Sequence, residues 1–325
     1  MQNQELLNAR TYSRLGQRGA IFGMAVLDAV RQDPRHLVIT ADLAQLSGLD
    51  RLGKAYPENL INVGIAEQNM LGIAAGLAAE GFKPIVTTYA TFITMRSCEQ
   101  CRHYLGYMKF KCIVVGSGAG LIQGFSGNTH YSQEDMSVMR TIPGMTVLSP
   151  SDATQAVKAF EAAQALEQSV YIRLSGGLGC PIVYKNDYTF EIGRPIQVHE
   201  GEDIVVYATG MMVAASLKVA ELLELEGIHV RIVDVHTIKP LHDEILEYIG
   251  VAKLAVTVEE HNVIGGLGSA VAEKMSERGC TAPLLRLGIQ DRFSRVGDYD
   301  YLLGDNRLQP EQIAQDIVDL WARLH

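Results

Sequence analysis

Short β-branched runs alternate with longer small-residue or amphipathic stretches along the 325 residues, the pattern of an α/β fold with mostly parallel sheets flanked by helices. HLVITAD (36–42) reads as a buried strand ending in an acid, and NLINVG (59–64) as another, followed by the helix AEQNMLGIAAGLAAEG (66–81). KPIVTTYA (83–90) and CIVVGSGAG (112–120) give two more strands. The Gly-rich stretch 117–128 lacks periodicity and predicts a long irregular connection, a type of loop that is often functional. Residues 145–163 read as strand, turn and helix with Asp152 as a helix cap, and SVYIRL (169–174) closes the unit.

Residues 175–195 are rich in Gly, Pro and turn formers and predict a linker. Beyond it, DIVVYATG (203–210), the helix MVAASLKVAELLELEG (212–227), HVRIVDV (229–235) and LAVTVEE (254–260) form a second, smaller α/β unit. The expected organisation is a domain over 1–175, a linker over 176–195 and a domain over 196–325.

Composition narrows the function classes. The chain is 47% hydrophobic and 20% charged with a net charge of −9, and no Lys/Arg run carries interleaved aromatics, which argues against a nucleic-acid partner. No segment reaches the roughly 18 apolar residues of a membrane span. Residues 1–18 are polar and lack the apolar centre of a secretory signal, so the cytoplasm is expected. The five cysteines stand at 98, 101, 112, 180 and 280. Cys98 and Cys101 form a C-x-x-C pair, but no second cluster completes a zinc site. The pair lies in a stretch, 95–108, that reads as helix, and two half-buried thiols are the expected reading.

The segment INVGIAEQNMLGIAAGLA carries the most specific chemistry. A single acid, Glu67, opens a helix otherwise made of small and apolar residues. An acid in a first turn is favoured by the helix dipole alone. Its place at the carboxyl end of a strand in an α/β sheet is also where ligands bind.

GIAEQNMLGIAAGLA, TTYATF, THYSQEDMSVMRTIPGMTVLSPSD and VEEHNVIGGLGSAVAE follow one another in an order that resembles the pyrimidine-binding and carboxy-terminal domains of transketolases and 1-deoxyxylulose-5-phosphate synthases. The resemblance runs over nearly the whole chain. It implies thiamine diphosphate as cofactor, with Glu67 matching the glutamate that hydrogen-bonds a ring nitrogen of the aminopyrimidine and so promotes loss of the thiazolium proton. Burial beside an apolar helix would help that acid share a proton with the nitrogen. Phe92 matches an aromatic near the aminopyrimidine, Met95 stands where transketolases stack an aromatic on it, Cys98 replaces a further tyrosine, and Asp42 matches an acid near the cofactor or caps a helix at the strand end. His130 matches the histidine that contacts the hydroxyl and carbonyl oxygens of the donor ketose.

The resemblance also implies a sugar-phosphate site, but with departures. Arg14 matches an arginine that holds phosphate, and Ser47 falls near a serine with the same task. Ser126 replaces an acid that orients the sugar, Gly118 replaces a phosphate-contacting histidine, and Gly176 replaces a second arginine. Whether Arg173, three residues earlier, takes over is left open. A substrate with another anionic group is therefore in play.

The preceding domain of a whole transketolase holds the diphosphate through Mg²⁺ or Ca²⁺ with a G-D-G motif, and no G-D-G is present here. The resemblance thus implies an amino-terminal transketolase-like subunit as partner, which supplies the metal ligands in an α2β2 assembly. Glu134 is placed at that interface or against the cofactor. Two rivals share parts of this pattern: the beta subunit of a 2-oxo-acid dehydrogenase, and a non-catalytic regulatory subunit.

Overall fold

The computed structural model describes residues 2–45 and 47–324, with side chains from Asn8 onward. In chain order the strands are β1 (His36–Thr40), β2 (Leu60–Asn62), β3 (Lys83–Tyr89), β4 (Ile113–Ser117), β5 (Thr146–Leu148) and β6 (Val170–Leu174). There follow β7 (Ile196–His199), β8 (Ile204–Ala208), β9 (Val230–Asp234), β10 (Thr237–Lys239), β11 (Leu254–Asn262) and β12 (Leu284–Ile289).

Two sheets result, in the orders β10-β5-β6-β4-β3-β1-β2 and β12-β11-β8-β9-β7. Each is parallel apart from one antiparallel edge strand, β10 on β5 in the first and β7 on β9 in the second. Every residue of β1, β4, β6 and β8 is buried, as expected where helices cover both faces of a parallel sheet. On one face of the first sheet Ile21, Phe22 and Val26 share a core with Ala156, Ala159 and Phe160. On the other, Met70, Leu71 and Ala74 meet Met136, Met139 and Cys101.

The α/β architecture and the order of the elements match the pattern read from the sequence, with most strand ends trimmed by one to three residues and β11 running two residues further, to Asn262. Two expectations need correction. The 95–108 stretch is not one helix: two π-helical turns, Phe92–Arg96 and Cys101–Tyr107, flank a short α turn at Cys98–Gln100. The 117–128 connection is not wholly irregular, since Gly124–Thr129 forms 3-10 turns. Residues 175–195 carry no regular element, yet they pack back on the first unit. Asp152 caps the Ala153–Ala165 helix by accepting the Gln155 amide with Oδ1 at 2.7 Å, while its Oδ2 accepts the amides of Val183 and Tyr184 at 3.0 and 3.1 Å.

Several elements were not read from the sequence, among them the helices Gln2–Ala20 and Pro310–Leu324 and the edge strand β10. The two sheets are joined by buried polar contacts. Arg173 pairs with Asp135 and also donates to the Glu260 carbonyl at 2.7 Å. Glu260 in turn accepts the Leu121 amide on Oε1 and the Tyr299 hydroxyl on Oε2, each at 2.6 Å. No helix of the described residues is long and apolar enough to cross a membrane.

Candidate functional site

The chain leaves β2, turns at Gly64 with φ at +72°, and enters the Glu67–Ala79 helix at Glu67. Met70, Leu71, Ala74 and Ala75 bury one face of that helix, which fixes Glu67 at the carboxyl ends of the strands. Glu67 is only 5% exposed. A carboxylate in a first turn is stabilised by the helix dipole, and here it also has a cation: Arg96 Nη1 donates to Glu67 Oε1 at 2.9 Å. The sequence reading places Glu67 beside an apolar helix and does not include Arg96. The signal was present, because Arg96 is the one charged residue between Pro84 and Cys98.

Arg96 is held on three sides. Its guanidinium carbon lies 3.8 Å from the centroid of the Phe92 ring. Its side chain reaches Glu67, and its carbonyl accepts Gln68 Nε2 at 2.9 Å. Phe92 and Arg96 are the two ends of one π-helical turn, and such turns recur at functional sites because they re-aim side chains without ending a helix.

Phe92 belongs to a second grouping as well. Its ring centroid lies 5.3 Å from that of His130 and 5.6 Å from that of Tyr89, and Tyr89 and His130 are 5.8 Å apart, all edge to face. His130 Nδ1 is hydrogen-bonded to Thr129 Oγ1 at 2.9 Å. Glu67, Phe92 and His130, picked out separately in sequence, thus stand in one contact chain with Arg96 and Tyr89. Ile65, 77% exposed, and Met95, 46% exposed, flank it, so the cluster lies on an open face. A cavity of about 530 Å³ lies elsewhere, lined by Leu105, Lys109, Pro143 and Glu167 among others.

Asp42 does not cap a helix. Its backbone adopts φ of +57°, and Asn62 bridges it by donating from Nδ2 to Asp42 Oδ1 at 3.2 Å and accepting the Asp42 amide at 3.0 Å. The side chain is solvent-exposed at the end of β1. Glu134 is half-buried, accepts the Gln133 amide at 2.7 Å, and burial raises its carboxyl above the usual range.

The anion-site candidates separate. Arg14 is exposed on the first helix. Ser47 is buried and its hydroxyl has no hydrogen-bond partner among the described residues. The same holds for Nη1 of Arg18, which the sequence reading passed over. The two residues adjoin touching backbones: a Cβ on Gly48 would lie 3.5 Å from Gly19 Cα. A buried donor without a partner costs free energy unless a ligand or water satisfies it.

Arg173 cannot replace the missing arginine at Gly176, since its side chain is buried and committed to Asp135. Gly176 itself has no room, because a Cβ there would lie 2.9 Å from both Gln17 Cδ and Met211 Sδ. At Gly118 a Cβ would fall 2.6 Å from Gln123 Nε2, so Gln123 fills the space next to that glycine.

The cysteines are free thiols. Burial pushes Cys101 far up and Cys112 up to about 12, which keeps both protonated and inert near neutrality. Among the described residues, no group of three or more His, Cys, Asp or Glu side chains is placed to hold a metal ion.

Comparison with known proteins gives the same outline. Residues 17–180 match the family profile described as the transketolase pyrimidine binding domain, and residues 193–313 match the transketolase C-terminal domain. The chain is 41% identical to the 6-deoxy-6-sulfo-D-fructose transketolase subunit SqwH of Clostridium sp. (strain MSTE9), over 85% of this chain and 86% of that protein. It is 36% identical to a putative transketolase C-terminal section of Methanocaldococcus jannaschii, covering 92% and 94% of the two. Among solved structures, a split-gene transketolase described as an inactive beta4 tetramer superposes with a TM-score of 0.83 at 36% identity, over 93% of this chain and 97% of that one.

Proposed function

Because the chain belongs to the transketolase family, we propose that it is one subunit of a split transketolase. It transfers a two-carbon ketol unit between sugars with an anionic terminus, using thiamine diphosphate held between this chain and an amino-terminal partner in an α2β2 assembly. The observation that carries this reading is the buried Glu67 carboxylate, tied to Phe92 through Arg96 and by Phe92 to His130 on an open face.

The residues present fit the pyrimidine end of the cofactor. Arg96 occupies Oε1 of Glu67, and no described residue hydrogen-bonds Oε2, so one oxygen remains to hold a proton at a ring nitrogen. Phe92 and Met95 supply apolar and polarisable contacts for an aromatic ring. The cofactor, when bound, supplies the carbon that carries the two-carbon unit, and the protein supplies position and electrostatics. His130, beside Phe92, would donate a hydrogen bond to a sugar oxygen as negative charge develops there.

For the diphosphate, Mg²⁺ or Ca²⁺ held by the amino-terminal partner would supply the neutralising charge. Relatives described as a subunit and as a C-terminal section, each matched over most of its length, support that division. The split-gene relative described as inactive as a beta4 tetramer supports the expectation that this chain self-associates without turnover when alone.

Ser47 with Arg14 or Arg18 forms the anion site, a guanidinium being well matched to tetrahedral oxyanions. The loss of the side chain at Gly176 and the commitment of Arg173 to Asp135 favour a rebuilt site. One relative is described as acting on a sulfonated fructose, so sulfonate-terminated ketoses belong in the assay beside phosphorylated ones.

The test is ketol transfer by this chain co-expressed with its amino-terminal subunit, with thiamine diphosphate and Mg²⁺. Turnover of at least one anionic ketose is expected, falling by about two to four orders of magnitude in Glu67→Gln. No turnover on any phosphorylated or sulfonated ketose, with Glu67→Gln binding the cofactor like wild type, would sink the reading. Full activity of the chain alone would sink the subunit assignment.

A further inference from the structure

Resting on the pyrimidine-site reading above, we propose that Arg96 is the positioning residue of that site: it fixes the Glu67 carboxylate so that Oε2 alone faces the cofactor nitrogen. Three independent contacts carry this. Arg96 Nη1 donates to Glu67 Oε1 at 2.9 Å, which removes that oxygen from competition. The guanidinium lies 3.8 Å from the Phe92 centroid, so a flat aromatic face sets its height and tilt. Gln68, the residue next to Glu67, anchors the Arg96 backbone by donating to its carbonyl at 2.9 Å. The anchored group and the group it orients are thus tied at neighbouring residues of one helix.

A long glutamate side chain has three rotatable bonds, and holding it in one geometry costs free energy. In this chain that cost falls on the fold before the cofactor arrives, since the π-helical turn Phe92–Arg96 places ring and cation on the same side. Preorganisation of this kind strengthens binding by cutting the ordering cost at the moment of association. Among the described residues, the ion pair and ring contact of the half-exposed Arg96 side chain are to Glu67 and Phe92, the two groups of the pyrimidine site.

The experiment uses the chain assembled with its amino-terminal subunit at saturating Mg²⁺. Two probes are titrated by calorimetry: thiamine diphosphate, and its analogue with C–H in place of the ring nitrogen that faces Glu67. Wild type binds the natural cofactor more tightly than the analogue. Arg96→Met is expected to weaken the natural cofactor on the order of tenfold while leaving the analogue unchanged. Arg96→Lys, which keeps the charge and loses the planar stack, should fall between, and it serves the same comparison if the Met variant does not assemble.

Equal weakening of both probes assigns Arg96 to the fold or to another part of the cofactor and overturns the proposal. Unchanged affinities overturn it as well, and tighter binding in Arg96→Met would show a competitor rather than a guide. Glu67→Gln separates the two layers. If it too leaves the discrimination between probes intact, the pyrimidine-site reading fails. If it abolishes the discrimination and Arg96→Met does not, only the role of Arg96 fails.

Discussion

Arg173 and Asp135 form an ion pair that solvent does not reach: Nε and Oδ2 are 2.9 Å apart, and the side chains are 1% and 0% exposed. The Tyr171 hydroxyl adds a hydrogen bond to Asp135 at 2.8 Å. A buried pair of this kind is costly to break by halves, because the remaining charge has no water to turn to. Arg173→Met is expected to lower the unfolding free energy by about 3–5 kcal/mol. Replacing Asp135 by Leu in the same protein should recover part of that loss. Urea denaturation of the single and double variants measures both, and a single-variant loss below about 1 kcal/mol would contradict a buried, dry pair.

Anion recognition gives a comparison of two arginines. Among the described residues Arg18 has a buried guanidinium nitrogen without a partner, and it adjoins the Ser47 loop, whereas Arg14 is exposed. Arg18→Met should raise KM for a phosphate- or sulfonate-terminated ketose by about ten- to hundredfold, the worth of a hydrogen bond to a charged group. Arg14→Met should do less. Neutral sugars serve as the control, and a larger effect at Arg14 would return the site to the residue first read from the sequence.

Asp152 uses both carboxylate oxygens, one on the helix start and one on the linker amides. Asp152→Ala is expected to cost about 1–2 kcal/mol for the cap alone, with a further loss from the freed Val183 and Tyr184 amides. Limited proteolysis should then cut within 175–195 faster than in wild type. Equal cleavage rates would show that the linker is held by other contacts.

Acid sensitivity has a definite sign. Burial lowers His236 and His261 to about 4, from an ordinary value near 6.5. Between those values the unfolded chain takes up the proton and the folded chain does not, so their contribution to stability is present above 6.5 and lost as pH falls towards 4. Asp234 and Glu259 act oppositely. Burial raises them to about 6 and about 7, so their contribution is present at low pH and lost as pH rises through those values. Comparing wild type with His236→Gln cancels everything but one histidine. The variant should gain about 2 kcal/mol relative to wild type on going from pH 7 to pH 5. A difference that stays constant between the two pH values would rule out a neutral, buried His236.

Periodicity revealed the central strands of both sheets because β1, β4, β6 and β8 are buried at every position and so read as unbroken apolar runs, whereas the outer strands β7, β10 and β12 were not read. Glu67, Phe92 and His130 were legible because each stands in a motif with a specific neighbourhood. The Pro310–Leu324 helix is amphipathic and was still passed over, as was β10, whose three residues carry no period at all. Arg96 and Arg18 were missed for another reason. Their importance lies in contacts at long sequence separation, Glu67 to Arg96 across 29 residues and Gly19 against Gly48, and spacing along a chain does not encode such contacts. Asp42 was misread as a possible cap because the loop after β1 turns away before any helix begins.

The strand β10 comes from the far side of the linker yet completes the edge of the first sheet, pairing Thr237 with Leu148 and Lys239 with Val147. An edge robbed of such a strand bares unpaired amides and carbonyls that invite foreign strands. The two halves are therefore poor units of exchange. A chimera that keeps 1–195 and borrows the remainder from a relative should stay soluble only if the graft brings a segment able to dock on β5. Recombination within this family would then favour transfers of both halves together, with the seam placed outside the pair.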